Sequence, residues 1–118
     1  MEDALARFAD ALARGDADSA ADLFAEGAIY EEPPRYRFEG REAIRTLLHD
    51  FAARHSDARF TILRSVADPE RKLMAAEWEW RYRSGADGRE RAFAGISFVS
   101  FAEDKITSWR GLSIPLEG

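Results

Sequence analysis

The chain has 118 residues, 46% hydrophobic and 33% charged, with a formal net charge of −5. That length reads as one domain over 1–118 with enough apolar residues for a core, and the acidic balance excludes the concentrated basic surface that nucleic acid requires. There is no cysteine, which excludes disulfides, thiol catalysis and thiolate metal sites, and no apolar run approaches the ~20 residues of a membrane span.

The chain opens with Glu2, Asp3 and Arg7, too charged for a signal peptide, so a cytoplasmic protein is expected. Leu5, Phe8, Ala9 and Leu12 recur at helical spacing and predict a helix over 2–14 that stops at Gly15. Asp16 is placed to cap a second helix over 17–26, with Ala20, Leu23 and Phe24 inward and Gly27 at its end. Ala28–Glu32 reads as a strand, which Pro33 and Pro34 terminate because neither can donate to a sheet ladder. Residues 35–40 read as a loop. The clearest helix covers 41–54, with Ile44, Leu47, Leu48, Phe51 and Ala52 on one face and Arg41, Arg45 and Asp50 off it.

From Ala58 the helical period gives way to alternation. Residues 58–67 place Phe60, Ile62 and Val66 on one side, up to a turn at Asp68-Pro69-Glu70. A long strand over 71–83 puts Ala76, Trp78, Trp80 and Tyr82 on one face and Glu77, Glu79, Arg81 and Arg83 on the other. Asp87-Gly88 signals a hairpin turn, 89–101 pairs back, Glu103-Asp104 turns again, and 105–114 closes the sheet. Laid flat, the strand over 71–83 would run roughly 43 Å. The hairpin must therefore twist and bend, with Gly95 as the natural bend point. These elements predict an α+β cone: three N-terminal helices packed on the concave face of a strongly curved antiparallel sheet, with an internal cavity.

The ordered pieces are Gly15-Asp16, Leu23-Phe24-Ala25-Glu26, Ala28-Ile29-Tyr30-Glu31-Glu32-Pro33, Gly40-Arg41-Glu42-Ala43-Ile44 and Ile106-Thr107-Ser108-Trp109-Arg110. Together they resemble the nuclear transport factor 2-like superfamily, in its SnoaL-like and ketosteroid isomerase-like branch, along essentially the whole chain. The resemblance implies an NTF2-like cone and an apolar ligand in it. In ketosteroid isomerases the residue before the first proline of this motif is a proton-shuttling Asp, and Glu32 stands there. The oxyanion-binding Tyr of the isomerases' first helix matches Phe8, and their protonated Asp matches Ser97. Strict steroid isomerase chemistry is therefore not expected. The Asp-Arg-Asp set of the limonene epoxide hydrolase branch is also not evident: Glu77, Glu79 and Arg81 alternate, but the last strand carries no matching Asp.

Glu32 is the candidate catalytic residue, a general base whose pKa apolar neighbours would raise. By alternation it shares a face with Tyr30 and Ala28, with Ile29 and Glu31 on the other. Candidate ligand-binding residues are Phe8, Tyr30, Leu48, His49, Trp78, Trp80, Ser97 and Trp109. His49 lies beside the apolar stripe of its helix and would border the pocket. His49 and His55 are six apart, not the spacing of a metal pair, and no metal or cofactor is expected. The row Trp78, Trp80, Tyr82 has two readings: cavity wall, or an outer patch that a partner covers.

Two functions follow. One is a cofactor-independent isomerase, cyclase or hydrolase acting on a small hydrophobic molecule through Glu32. The other is a non-catalytic binding or interaction domain that has lost the isomerase oxyanion donors. A homodimer through the sheet face is expected in either case.

Overall fold

The apolar stripe of the first segment folds as helix α1 (Glu2–Ala13), which buries Leu5, Phe8 and Ala11. Asp16 caps helix α2 (Ala17–Asp22) as its position predicts: its side chain accepts from the Ser19 amide at 3.1 Å. Strand β1 (Phe24–Glu32) and the short β2 (Tyr36–Glu39) form a hairpin, and helix α3 (Arg41–Arg54) follows. Strands β3 (His55–Asp68), β4 (Leu73–Ser84), β5 (Glu90–Ala102) and β6 (Lys105–Pro115) complete the chain. The computed structural model describes residues 1–116, so the last two residues of the expected domain lie outside it. Among the described residues, no helix is long and apolar enough to cross a membrane.

The fold is an α+β cone, three helices on one open six-stranded sheet in the order β2-β1-β6-β5-β4-β3. The sheet is mixed, not antiparallel throughout. Strand β1 pairs with β6 in parallel, and the other pairs are antiparallel. That pairing also ends the second helix early. The Ile106 amide donates to the Leu23 carbonyl at 2.8 Å, and Phe24 stands opposite Ile106. Phe24–Glu26, expected as helix, are thus drawn into β1, whose first residue Phe24 pairs with a strand far away in sequence, and this overrides their local preference. Residues 36–39, expected as loop, pair with β1 for the same reason.

Strand β3 carries a second correction. Phe60 and Ile62 face inward opposite Trp80 and Trp78, but Val66 is 71% exposed. The register steps from Ile62↔Trp78 to Arg64↔Glu77, which leaves Leu63 as an extra residue. One inserted residue flips every later side chain to the other face.

The core sits between the helices and the inner face of the sheet. Phe8 is its hub, with ring centroids 5.0 Å from Trp109, 5.7 Å from Phe60 and 5.8 Å from Phe24. On β4 the inward row is Met74, Ala76, Trp78, Trp80 and Tyr82, so the aromatic row faces the helices. The outward row is tied by ion pairs, Arg64–Glu77 at 2.7 Å and Arg81–Glu79 at 3.1 Å. Gly95 serves a close contact: a Cβ there would lie 2.2 Å from Cζ2 of Trp78. Gly95→Ala is therefore expected to destabilise the fold by about 1–3 kcal/mol through overpacking, read as a lower midpoint in urea denaturation with an unchanged slope.

Candidate functional site

Between α1, α3 and the inner face of the sheet lies a cavity of about 290 Å³. Its walls are mostly aromatic. Phe8 comes from α1, Phe51 from α3, Phe60 from β3, and Trp78, Trp80 and Tyr82 from β4. Leu12, Leu47, Leu48 and Phe93 complete the apolar part. The polar part is gathered at one end by Tyr30, Glu32, Arg35, Tyr36 and Ser113.

Glu32 is the last residue of β1 and is only 8% exposed. Alternation turns it inward with Tyr30 and Ala28, while Glu31 points outward to Arg110, 2.8 Å away. Its carboxylate accepts from the Ser113 hydroxyl at 2.8 Å, the Tyr36 hydroxyl at 3.0 Å and Nη2 of Arg35. The same Nη2 donates to Ser113 Oγ at 3.2 Å. Three donors, one of them cationic, stabilise the charged carboxylate in a place that would otherwise penalise it. Apolar side chains line the rest of the cavity, and the carboxylate itself is met by polar groups.

These donors arrive from three directions. Arg35 stands in the turn after Pro33-Pro34, Tyr36 opens β2, and Ser113 comes from β6. None was singled out by sequence. Ser113 could have been found by alternation, since Trp109, Gly111 and Ser113 share a face against Leu112 and Ile114. Arg35 and Tyr36 carried no such signal, because β2 exists only through its pairing.

Tyr30 and Tyr36 stack with ring centroids 6.2 Å apart and planes 8° from parallel. Burial pushes the Tyr30 phenol up to about 12. Burial also raises Tyr36, with the neighbouring Tyr30 as the second cause. Both phenols thus remain neutral donors across the physiological range.

Six of the nine candidate residues, Phe8, Tyr30, Glu32, Leu48, Trp78 and Trp80, line the cavity. The other three stand elsewhere. His49 is exposed on the side of α3 that faces α2, with Nε2 2.8 Å from Asp18 Oδ1. One residue beyond Leu48 is a rotation of about 100°, which carries it off the apolar stripe. Arg45, one turn earlier, shares that face and bonds Asp18 and Asp22. Ser97 lies in the sheet beneath Trp78 and accepts from its indole N–H at 2.9 Å. Trp109 is covered by Phe8 and Tyr30, with centroids 5.0 and 6.0 Å away, so its ring belongs to the core.

Residues 5–109 match the SnoaL-like domain, and the chain belongs to that family. Three solved structures share the fold. An epoxide hydrolase of the limonene epoxide hydrolase-like type from M. tuberculosis is 22% identical, with 94% of this chain and 80% of that one covered at a TM-score of 0.81. SalBIII, an epoxide hydrolase/cyclase-like enzyme of pyran-ring formation in the polyether salinomycin, is 19% identical over 96% of this chain and 89% of its own, at 0.85. A hypothetical protein with a ketosteroid isomerase-like fold from Catenulispora acidiphila, in complex with trimethylamine, is 16% identical over 92% and 82%, at 0.81. No curated protein sequence matches the chain.

The tyrosines give the site a pH signature. An unfolded phenol ionises near 10, whereas folded Tyr30 holds its proton to about 12. Its contribution to stability is fully present below the unfolded value and is lost as pH rises through the folded one. Ultraviolet titration of phenolate formation should show a step near pH 12 that Tyr30→Phe removes, and a Tyr30 that ionises near 10 would contradict the geometry.

Proposed function

We propose that this SnoaL-like protein is a cofactor-independent acid/base enzyme of the isomerase, cyclase or hydrolase type, acting on a small, largely apolar carbonyl or epoxide compound. The observation that carries this reading is the position of Glu32, a buried carboxylate at the polar end of an aromatic cavity. Glu32 takes a proton from the substrate, and the Tyr36 and Ser113 hydroxyls hold the carboxylate in register while it does so. The aromatic walls bind the apolar body and exclude water. The family membership and the epoxide hydrolase-like and cyclase-like proteins of the same fold support the class.

A second reading is a binding domain without chemistry. It is favoured by positions 8 and 97, where the isomerase donors would stand: Phe8 is core, and Ser97 is occupied by Trp78. Exchange of the α-hydrogens of 2-tetralone in heavy water, followed by proton NMR, separates the two readings without knowledge of the natural reaction. An enzyme accelerates the exchange, and Glu32→Gln reduces the acceleration by roughly 10²-fold or more with the fold retained. Binding of 2-tetralone with no acceleration in the parent protein would exclude enolising chemistry and favour the binding domain.

In either reading the protein works as a homodimer through the outer face of the sheet. Ile96, Phe98, Leu112 and Ile114 are each more than half exposed there, and Ile96 stands opposite Leu112 across β5 and β6. A contiguous patch of this kind on an otherwise ion-paired face marks an interface. Ile96→Asp should convert the dimer to a monomer in sedimentation velocity, and a parent protein that is already monomeric would exclude this interface.

A further inference from the structure

The polar end of the cavity carries one cation that its neighbours do not use up. Among the described residues lining the cavity, Arg35 is the sole cation and Glu32 the sole carboxylate. A guanidinium has five N–H donors. Both bonds that Arg35 makes leave from Nη2, one to Glu32 and one to Ser113. Its Nε and Nη1 donors have no partner among the described residues. The side chain is also 54% exposed, so it stands where a ligand enters.

Glu32 is in the opposite condition. Its oxygens are met by Arg35, Tyr36 and Ser113. Two of those donors are neutral hydroxyls that would stay in place if Arg35 were shared. The free capacity at this end is therefore for accepting negative charge. An ammonium would find Glu32 already engaged and Arg35 repelling it, even though an aromatic cage can attract cations.

We infer that Arg35 makes this end of the cavity a receptor for an oxyanion, and that the ligand is a largely apolar molecule carrying a carboxylate. The inference rests on the reading of the cavity as the ligand site. Arg35 holds the oxyanion through its spare N–H groups while Glu32 keeps its hydroxyl donors. Arg35 thereby supplies an anion-binding group where Phe8 and Ser97 supply none.

The test uses three probes of one shape, 2-naphthoate, 2-naphthamide and 2-naphthylmethylammonium, titrated into the full chain and followed by quenching of tryptophan fluorescence. Naphthoate should bind roughly tenfold to a hundredfold more tightly than the amide, the range expected for a hydrogen bond to a charged group. Arg35→Gln should erase that preference and leave the amide unchanged, while Arg35→Lys keeps part of it. Glu32→Gln should tighten naphthoate binding, because it removes a neighbouring negative charge. Equal affinity for acid and amide, tightest binding of the ammonium, or a preference that survives Arg35→Gln would each overturn the inference. If the amide binds and the acid gains nothing, the inference alone fails. If no probe binds the parent protein, the cavity reading fails and takes the inference with it.

Discussion

Trp78 lies over β5 because position 95 has no side chain to hold it off. Its indole N–H reaches Ser97 in the floor of the sheet. Ser97 in turn fits because Gly111 leaves room: a Cβ at 111 would come within 2.2 Å of Ser97 Oγ. Three small residues on two neighbouring strands thus accept one large ring and satisfy its only donor. A buried indole N–H without a partner would cost about 1–3 kcal/mol. With Trp78 held inward, alternation places Trp80 and Tyr82 on the same face, and the concave side of the sheet becomes the aromatic one.

That choice governs both faces of the sheet. The inner row of β4 meets Phe51 and Phe60, Phe60 in turn meets Phe8, and the space they leave is the cavity. The outer row carries Glu77, Glu79 and Arg81 in ion pairs, and β5 and β6 put Ile96, Phe98, Leu112 and Ile114 beside them. Exposed pairs of this kind add little stability individually. Their effect is to keep that face soluble around an apolar patch.

Glu32 shows how a polar group is kept inside such a cone. Alternation turns it inward, and the proline turn that follows brings Arg35 and Tyr36 back over it. Strand β6 adds Ser113 from the far end of the chain. The burial of a lone carboxylate would be prohibitive, so the donors are a condition for its presence there. They also define the chemistry available: a held base, two neutral phenols, and one guanidinium with donors to spare.

The first and third helices, the Asp16 cap that opens the second, the alternation of β4 and the parity that groups Glu32 with Tyr30 and Ala28 were legible in the sequence by itself. Each depends on spacing along the chain and on the local demands of caps and pleats. Tyr30, Leu48, Trp78 and Trp80 could be proposed as cavity residues on that basis, and Phe8 through the family resemblance. Other features depend on partners that are remote in sequence. Only the tertiary structure decided that Phe24 leaves the helix for β6, that residues 36–39 form a strand, and that Leu63 flips the end of β3. The same holds for the inward turn of the tryptophan row, the commitment of His49 to Asp18, and the donors on Glu32. Periodicity names the two faces of an element, but which face is inside is decided by the surface that arrives to cover it.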